Sequence, residues 1–354
     1  MHVVEAFGGG VFGVVRDVAN ASAEAGIPTT VIHGTRPQTP TNPAAAFDER
    51  VRLISVPHWG ARRTLRGAAA VLIAANAVMR EVGRHEAGIL HLHSSHAGLL
   101  GRMLPQPAGW SRLYTPHGYA FLYEGLPRPV RVAAFVLEIA TARRATTLAV
   151  SRTEAAIANR LRPRRVIVVQ NGVEVPPDEP EPANGRFVVV SVGRAVFHRR
   201  PDLFREVAES IQRELPASFR WIGDGEAGAE LTAAGVDVTG WAEPDDVRRA
   251  IASAHVVLHL SAYEGLPLAL LEAMALGRAV VATDIPAIRE VVGQAAILVH
   301  GSLDAADAVR ALYGDGNRRR ALGRLARERV ERLYRRDQMV SRTLAVYRDI
   351  AQRG

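Results

Sequence analysis

The chain has 354 residues and a mass of 38.2 kDa, which favours two domains of about 150–180 residues over one. With 48% apolar and 23% charged residues and no Cys, the composition excludes global disorder, disulfides, thiolate metal sites and a Cys nucleophile. The net charge is +8 and all 44 cations are Arg, which excludes Lys-based chemistry, favours anionic partners and makes any long-chain phosphate contact a guanidinium.

Residues 3–7 read as a strand, followed by Gly8, Gly9 and Gly10 and a helical stretch over 11–25. Strands follow at 29–33 and 51–56, then an Ala-rich helix at 64–82. Further strands fall at 88–92 and 113–115, a helix at 129–143, and strands at 147–150 and 166–169. Short apolar strands alternating with helices imply a parallel sheet covered on both faces. Residues 175–185 are rich in Pro and acid and read as an interdomain linker. The alternation then restarts, with strands at 187–192, 219–222, 236–238, 256–260, 279–283 and 297–299. Residues 304–354 read as mostly helical, strongly basic over 318–336. The expected fold is α/β, with two doubly wound Rossmann-like domains. In such sheets ligands bind beyond the carboxyl ends of the strands, so function belongs to the turns there.

The opening ten residues lack the basic region of a signal peptide, and the longest apolar run, 67–79, is too short to span a bilayer. The expected setting is cytoplasmic, soluble or peripheral. The Arg residues are spread along the chain with no nucleic-acid-binding signature, so nucleic acid is not an expected partner.

The most informative stretch runs strand, turn, helix from His259 to Ala275. Pro267 suits a first helical position, after which the amides of Gly265, Leu266 and the first turn, with Leu268, would meet phosphate or sugar oxygens. Glu264 stands in the turn and Glu272 about two helical turns on, close enough in spacing for one elongated ligand. Taken alone, the two Glu also fit an ordinary amphipathic helix. The pattern Ser261-x-Tyr263-Glu264-Gly265, then Leu270-Leu271-Glu272-Ala273-Met274, resembles the nucleotide-sugar site of the retaining glycosyltransferases of family 4, the group 1 transferases, which have the GT-B fold.

That resemblance covers essentially the whole chain. It implies an N-terminal acceptor-binding domain over 1–174, joined by a C-terminal helix over 336–354 that crosses back to it. A nucleotide-sugar-binding domain follows the linker over 186–335, and the two domains face a central cleft. Gly193-Arg194 closes the first strand of the second domain, and Arg199 stands where the family has Lys. By resemblance, Arg194 and Arg199 would grip the donor diphosphate. Arg200 replaces a family glycine and reads as a surface cation. Gly223, after a strand ending in Trp221-Ile222, matches the strand end near the nucleotide, and residues 238–241 match a loop packing on the base.

In the first domain the turn at Gly9 and Gly10 would face donor phosphate and acceptor, and His117-Gly118 would orient the donor sugar. His91 and His93 share one strand face, but no carboxylate neighbours them, so no metal site is expected. Asp-x-Asp is absent from the sequence. The implied reaction is metal-independent, needs no cofactor, and retains configuration: a sugar moves from a nucleoside diphosphate, UDP ahead of GDP, to an acceptor hydroxyl. Glu264 would stabilise charge at the anomeric carbon and Glu272 would hold the ribose.

Phe12, His93 and Ser94 are the acceptor-side candidates. The first domain looks most like transferases that build exopolysaccharide, capsule or lipopolysaccharide on lipid-linked saccharides, with a small-molecule acceptor as the alternative. Residues 58–66, basic and aromatic, are a candidate for docking on an anionic membrane, or an ordinary helix start. A nucleotide-sugar epimerase of the same fold and a non-catalytic scaffold remain as rivals. A dinucleotide oxidoreductase fits poorly, because His33 and Thr35 stand where its acid should be.

Overall fold

The computed structural model describes residues 1–60, 65–180, 182 and 185–353. It divides into two compact units, Met1–Asn171 with Asp337–Gly354, and Gly172–Arg336.

The first unit runs β1 (His2–Val4), α1 (Gly9–Glu24), β2 (Thr29–Gly34), β3 (Val51–Val56), α2 (Leu65–Val82), β4 (Gly88–His93), α3 (Ser94–Met103), β5 (Trp110–Thr115), α4 (Arg128–Ala142), β6 (Thr146–Ala149), α5 (Arg152–Arg160) and β7 (Val166–Val168). Its seven strands, all parallel, take the order β3-β2-β1-β4-β5-β6-β7. The strand alternation decides which side chains meet which helices. Val3, Ile32, Leu90 and Leu92 point to a core shared with Ala70, Ala74 and Val78 of α2 and Ala97 of α3. Val4 and Val31 point the other way, to Phe12, Val15 and Ala19 of α1. Each fully buried Val or Leu contributes about 1.5–3 kcal/mol.

The second unit runs β8 (Phe187–Val192), α6 (Pro201–Gln212), β9 (Ala217–Ile222), α7 (Gly228–Ala233), β10 (Asp237–Val238), α8 (Pro244–Ala252), β11 (Val256–His259), α9 (Leu268–Ala275), β12 (Ala279–Thr283), α10 (Pro286–Val292), β13 (Ile297–Val299), α11 (Ser302–Gly314) and α12 (Gly316–Leu333). Its parallel order is β10-β9-β8-β11-β12-β13. Most of the final helix, α13 (Arg336–Arg353), belongs to the first unit, where Tyr347 bonds His91 and Asp349 pairs with Arg165.

Each sheet has one switch point where strand order reverses, between β1 and β4 and between β8 and β11. The crevice beyond the strand ends at such a point is where open α/β sheets bind ligands.

Several elements differ from expectation. The strand expected over 3–7 ends at Val4, because the chain turns at once: the Phe7 amide donates to the Glu5 carbonyl (3.0 Å) and Gly8 to Ala6 (3.0 Å). Helix α1 begins at Gly9, so Gly9 and Gly10 form its first turn. Helices α3 and α5 were not anticipated. Residues 61–64 of the membrane-docking candidate, and 181, 183 and 184 of the linker, lie outside the described residues. Among the described residues no helix is long and apolar enough to cross a membrane.

Candidate active site at the strand ends

In the second unit the site is assembled by the ends of β8, β9 and β11. The Gly193 amide donates to the Ile222 carbonyl (2.9 Å) and the Trp221 indole donates to the Gly193 carbonyl (2.8 Å). Gly223 has φ 139°, and a Cβ there would sit 2.2 Å from the Gly193 carbonyl oxygen, so only glycine lets these strand ends meet. Gly223 also donates to Thr239 Oγ1 (3.3 Å), which draws in the loop that carries the half-exposed Trp241.

Past Gly193 and the exposed Arg194, a short 3-10 turn (Phe197–Arg199) carries Arg199 over the end of β11. There its guanidinium forms an ion pair with Glu264, whose side chain is only 8% exposed. Glu264 also accepts from Ser261 Oγ (2.9 Å) and lies 3.0 Å from His259 Nε2, which is 3.2 Å from Arg199. Burial alone would raise the Glu264 carboxyl; the Arg199 charge, with the bonds from His259 and Ser261, overcomes this and holds it at about 2. Burial pushes His259 down, and burial followed by the Arg199 charge pushes His198 down to about 4. The arrangement therefore presents a carboxylate that is ionised at neutral pH beside a guanidinium, both largely out of water. Such a pair can stabilise positive charge at a reacting carbon and negative charge on a departing group.

Helix α9 starts one residue later than expected. Pro267 is its N-cap, with φ −76° and ψ 109°, and Leu268 is the first helical residue. Leu266 is buried at 7% exposure and anchors the turn, Gly265 is half-buried, and Glu272 is half-buried on α9. Arg200 takes the left-handed conformation (φ 50°, ψ 53°) at the N-cap of α6, a position that suits glycine, and pairs with Asp202.

In the first unit, β1 and β4 pair with His2 opposite His91 and Val4 opposite His93. This register places His2 beside the two histidines that share one face of β4, and the His91 and His93 ring centroids are 4.0 Å apart. His93 Nε2 lies 3.1 Å from His2 Nδ1, and His93 Nδ1 lies 3.1 Å from His117 Nε2. His91 is bonded at both nitrogens, to the Tyr347 hydroxyl (2.6 Å) and to Thr115 Oγ1 (2.8 Å). Ligand atoms of His2, His91 and His93 lie within 4.8 Å of one another. Both nitrogens of His91 and of His93 already have partners, so a metal bound there would have to break these bonds.

Burial pushes His2, His91 and His93 well below the usual histidine range and His117 to about 4, so all four are neutral near pH 7. His117 is itself left-handed (φ 52°), followed by Gly118 (φ 95°). Glu154, buried at the start of α5, fixes this turn by accepting from the Gly118 amide (2.7 Å) and the Val150 amide (2.8 Å). A pocket at these strand ends is lined by His91, His93, Thr115, His117, Asn171 and Thr343. Ser94 opens α3 with φ 68°. Phe12 lies in the core, 6% exposed, with ring centroids 4.9 Å from Phe7 and 5.8 Å from Phe47.

Among the described residues, the non-glycine residues in the left-handed region are His58, Ser94, His117, Arg162 and Arg200; Ser94 and His117 follow the ends of β4 and β5, and strain of this kind costs about 1–3 kcal/mol each. Sequence reasoning missed His2, Tyr347 and Glu154 in the first unit and His259 in the second. His259 was legible from its spacing, two residues before Ser261 and five before Glu264.

Each of the two Rossmann-like units thus carries a polar cluster at the point where its strand order reverses. The family model for glycosyl transferases group 1 matches residues 186–315, and the model for glycosyltransferase family 4 matches residues 8–175. The chain belongs to this family of glycosyltransferases and has the GT-B fold. Among curated relatives, alpha-maltose-1-phosphate synthase of Mycolicibacterium smegmatis is 28% identical over 352 aligned residues, covering 81% of this chain and 86% of the relative. The Escherichia coli UDP-Gal:alpha-D-GlcNAc-diphosphoundecaprenol alpha-1,3-galactosyltransferase is 30% identical over 219 residues, covering 53% and 56%. Among solved structures, sucrose-phosphate synthase of Thermosynechococcus elongatus has a TM-score of 0.83 at 19% identity, covering 100% of this chain and 99% of that one. Anabaena HepE, in complex with UDP and glucose, has a TM-score of 0.77 at 15% identity, covering 98% of each chain.

Proposed function

We propose that this glycosyltransferase moves a sugar from a nucleoside diphosphate, UDP in first place, to a hydroxyl of a lipid-linked saccharide, with retention and without a metal. The observation that carries the reading is the buried Arg199–Glu264 pair beneath the α9 turn, inside the segment matched by the group 1 model. Arg194 and Arg199 supply positive charge to the leaving diphosphate, supplemented by the amides at the start of α9. Glu264 faces the developing positive charge at the anomeric carbon, Glu272 holds the ribose and His117 orients the sugar. The bond between the anomeric carbon and the phosphate oxygen breaks, with its electrons leaving on the diphosphate. The acceptor oxygen bonds to the same face of the carbon, and its proton passes to a diphosphate oxygen.

UDP in the HepE structure and UDP-Gal in the name of the E. coli relative support the donor. The diphosphoundecaprenol acceptor in that name supports the lipid-linked reading. A second reading, a small-molecule acceptor, is favoured by the M. smegmatis relative, which is named for a sugar phosphate. Thermal shift and nucleotide release across a panel of UDP- and GDP-sugars, with EDTA present, test the donor. Product NMR with lipid-diphosphate sugar against hexose phosphate then tests the acceptor and the anomeric outcome. A UDP-sugar turned over only with the lipid-diphosphate acceptor supports the proposal. Turnover only with the soluble phosphate overturns its acceptor half, and abolition by EDTA overturns its metal half.

A further inference from the structure

Helix α4 carries its polarity inside out. The residues that it buries are Glu138, Thr141 and Ala142. Glu138 accepts from Arg102 Nη2 (2.9 Å) and from the Tyr114 hydroxyl (2.9 Å), so the helix's one acid is committed inward. Its other sides bear Val130, Val132, Phe135, Val136, Leu137 and Ile139, each 39–56% exposed. A surface helix ordinarily turns such residues to the core. The apolar area extends beyond α4. The Phe121 ring meets Phe135 edge-on at 5.2 Å, and α3, which packs against both α2 and α4, ends in the exposed Met103.

The charge around this face is predominantly positive. Arg128 stands exposed at the start of α4 and Arg143 and Arg144 just past its end, while Glu124 is the one exposed carboxylate between residues 120 and 144. A second copy of this chain is a poor occupant. Whether two α4 helices paired parallel or antiparallel, arginine-bearing ends would meet arginine-bearing ends with no carboxylate from the helix to neutralise them. An anionic bilayer supplies both halves of the match, acyl chains for the valines and phosphates for the guanidiniums.

We propose that α4 docks the chain on an anionic phospholipid surface, with Val132, Val136 and Ile139 at the acyl boundary and Arg128, Arg143 and Arg144 on lipid phosphates. The proposal deepens the lipid-linked reading above and rests on it for its purpose, since a lipid-diphosphate saccharide is met at a bilayer. It stands beside residues 58–66, of which 61–64 lie outside the described residues.

The test is co-sedimentation of the full chain with vesicles, with no nucleotide sugar or acceptor present, so its failure is separate from failure of the transfer reading. The expected result is pelleting with phosphatidylglycerol-containing vesicles, weakening as salt rises, and none with phosphatidylcholine alone. Val132→Asp/Val136→Asp/Ile139→Asp should weaken partition at least about tenfold with unchanged Tm. If that variant does not fold, Arg128→Ser/Arg143→Ser/Arg144→Ser should weaken binding and abolish its salt dependence. Wild-type protein left in the supernatant with anionic vesicles overturns the proposal, as do variants that bind as well as wild type. A concentration-dependent dimer lost in the aspartate variant while vesicle binding is unchanged also overturns it and assigns the face to a second copy.

Discussion

His93 Nδ1 lies 3.1 Å from His117 Nε2, and this bond ties His117 to a chain of rings that ends at His2. A neutral imidazole donates from one nitrogen and accepts at the other. With all three rings neutral, the tautomer of His2 sets that of His93, which sets the tautomer of His117. Replacing His93 with Leu should convert the ring nitrogen shifts of His117 from one tautomer to a mixture. It should also slow transfer by about 10–100-fold while donor binding is kept. Unchanged His117 shifts in that variant would contradict the coupling.

The same histidines make stability depend on pH, with a defined sign. Their folded-state values lie below the ordinary value of 6.5, that of His117 at about 4. Between those limits the unfolded chain binds protons that the folded chain refuses, so stability is full above about pH 6.5 and falls as the pH drops toward 4. Melting temperature measured from pH 8 to 4.5 should be flat at first and then decline. The decline should be shallower in His93→Leu, which removes one of these groups.

Arg199 and Glu264 form a largely buried pair, with side chains 20% and 8% exposed. Removing one partner strands the other charge, so Arg199→Met should cost about 3–5 kcal/mol of stability. Glu264→Gln/Arg199→Met leaves no charge behind and should be less destabilised than Arg199→Met alone. Chemical denaturation of Arg199→Met, Glu264→Gln and the double variant reads this directly, and an additive double variant would show that the two residues do not interact.

Arg200 holds a left-handed backbone at the start of α6, and its Asp202 partner is half exposed. The strain costs about 1–2 kcal/mol and the exposed pair gives back at most about 1. Arg200→Gly should therefore be neutral to stabilising by about 1 kcal/mol, and Arg200→Val destabilising, in the same assay.

Much of this was legible in the sequence because the signals are local. Apolar strands followed by helices pointed to two parallel sheets, and the stretch around Glu264 pointed to the strand-end turn where Arg199, His259 and Glu264 meet. What escaped depends on distance along the chain. His2 joins His91 and His93 only through the register of β1 with β4, and Tyr347 reaches His91 across 256 positions. Helix α3 hid behind His93-Ser94-Ser95-His96, where strand and helix meet without a linker. The helix over 129–143 was visible, but its inverted polarity was not. Only the pairing of Glu138 with Arg102 and Tyr114 shows which side faces inward.

The central claim is that the strand-end pair of the second unit supports sugar transfer from a nucleotide. The most direct measurement is nucleoside diphosphate release from a panel of nucleotide sugars, in EDTA, by wild type and by Glu264→Gln. The account predicts release from one nucleotide sugar by wild type, undiminished by EDTA, and a loss of at least about 100-fold in the variant. Release that is equal in both proteins, or absent with every nucleotide sugar, would contradict it.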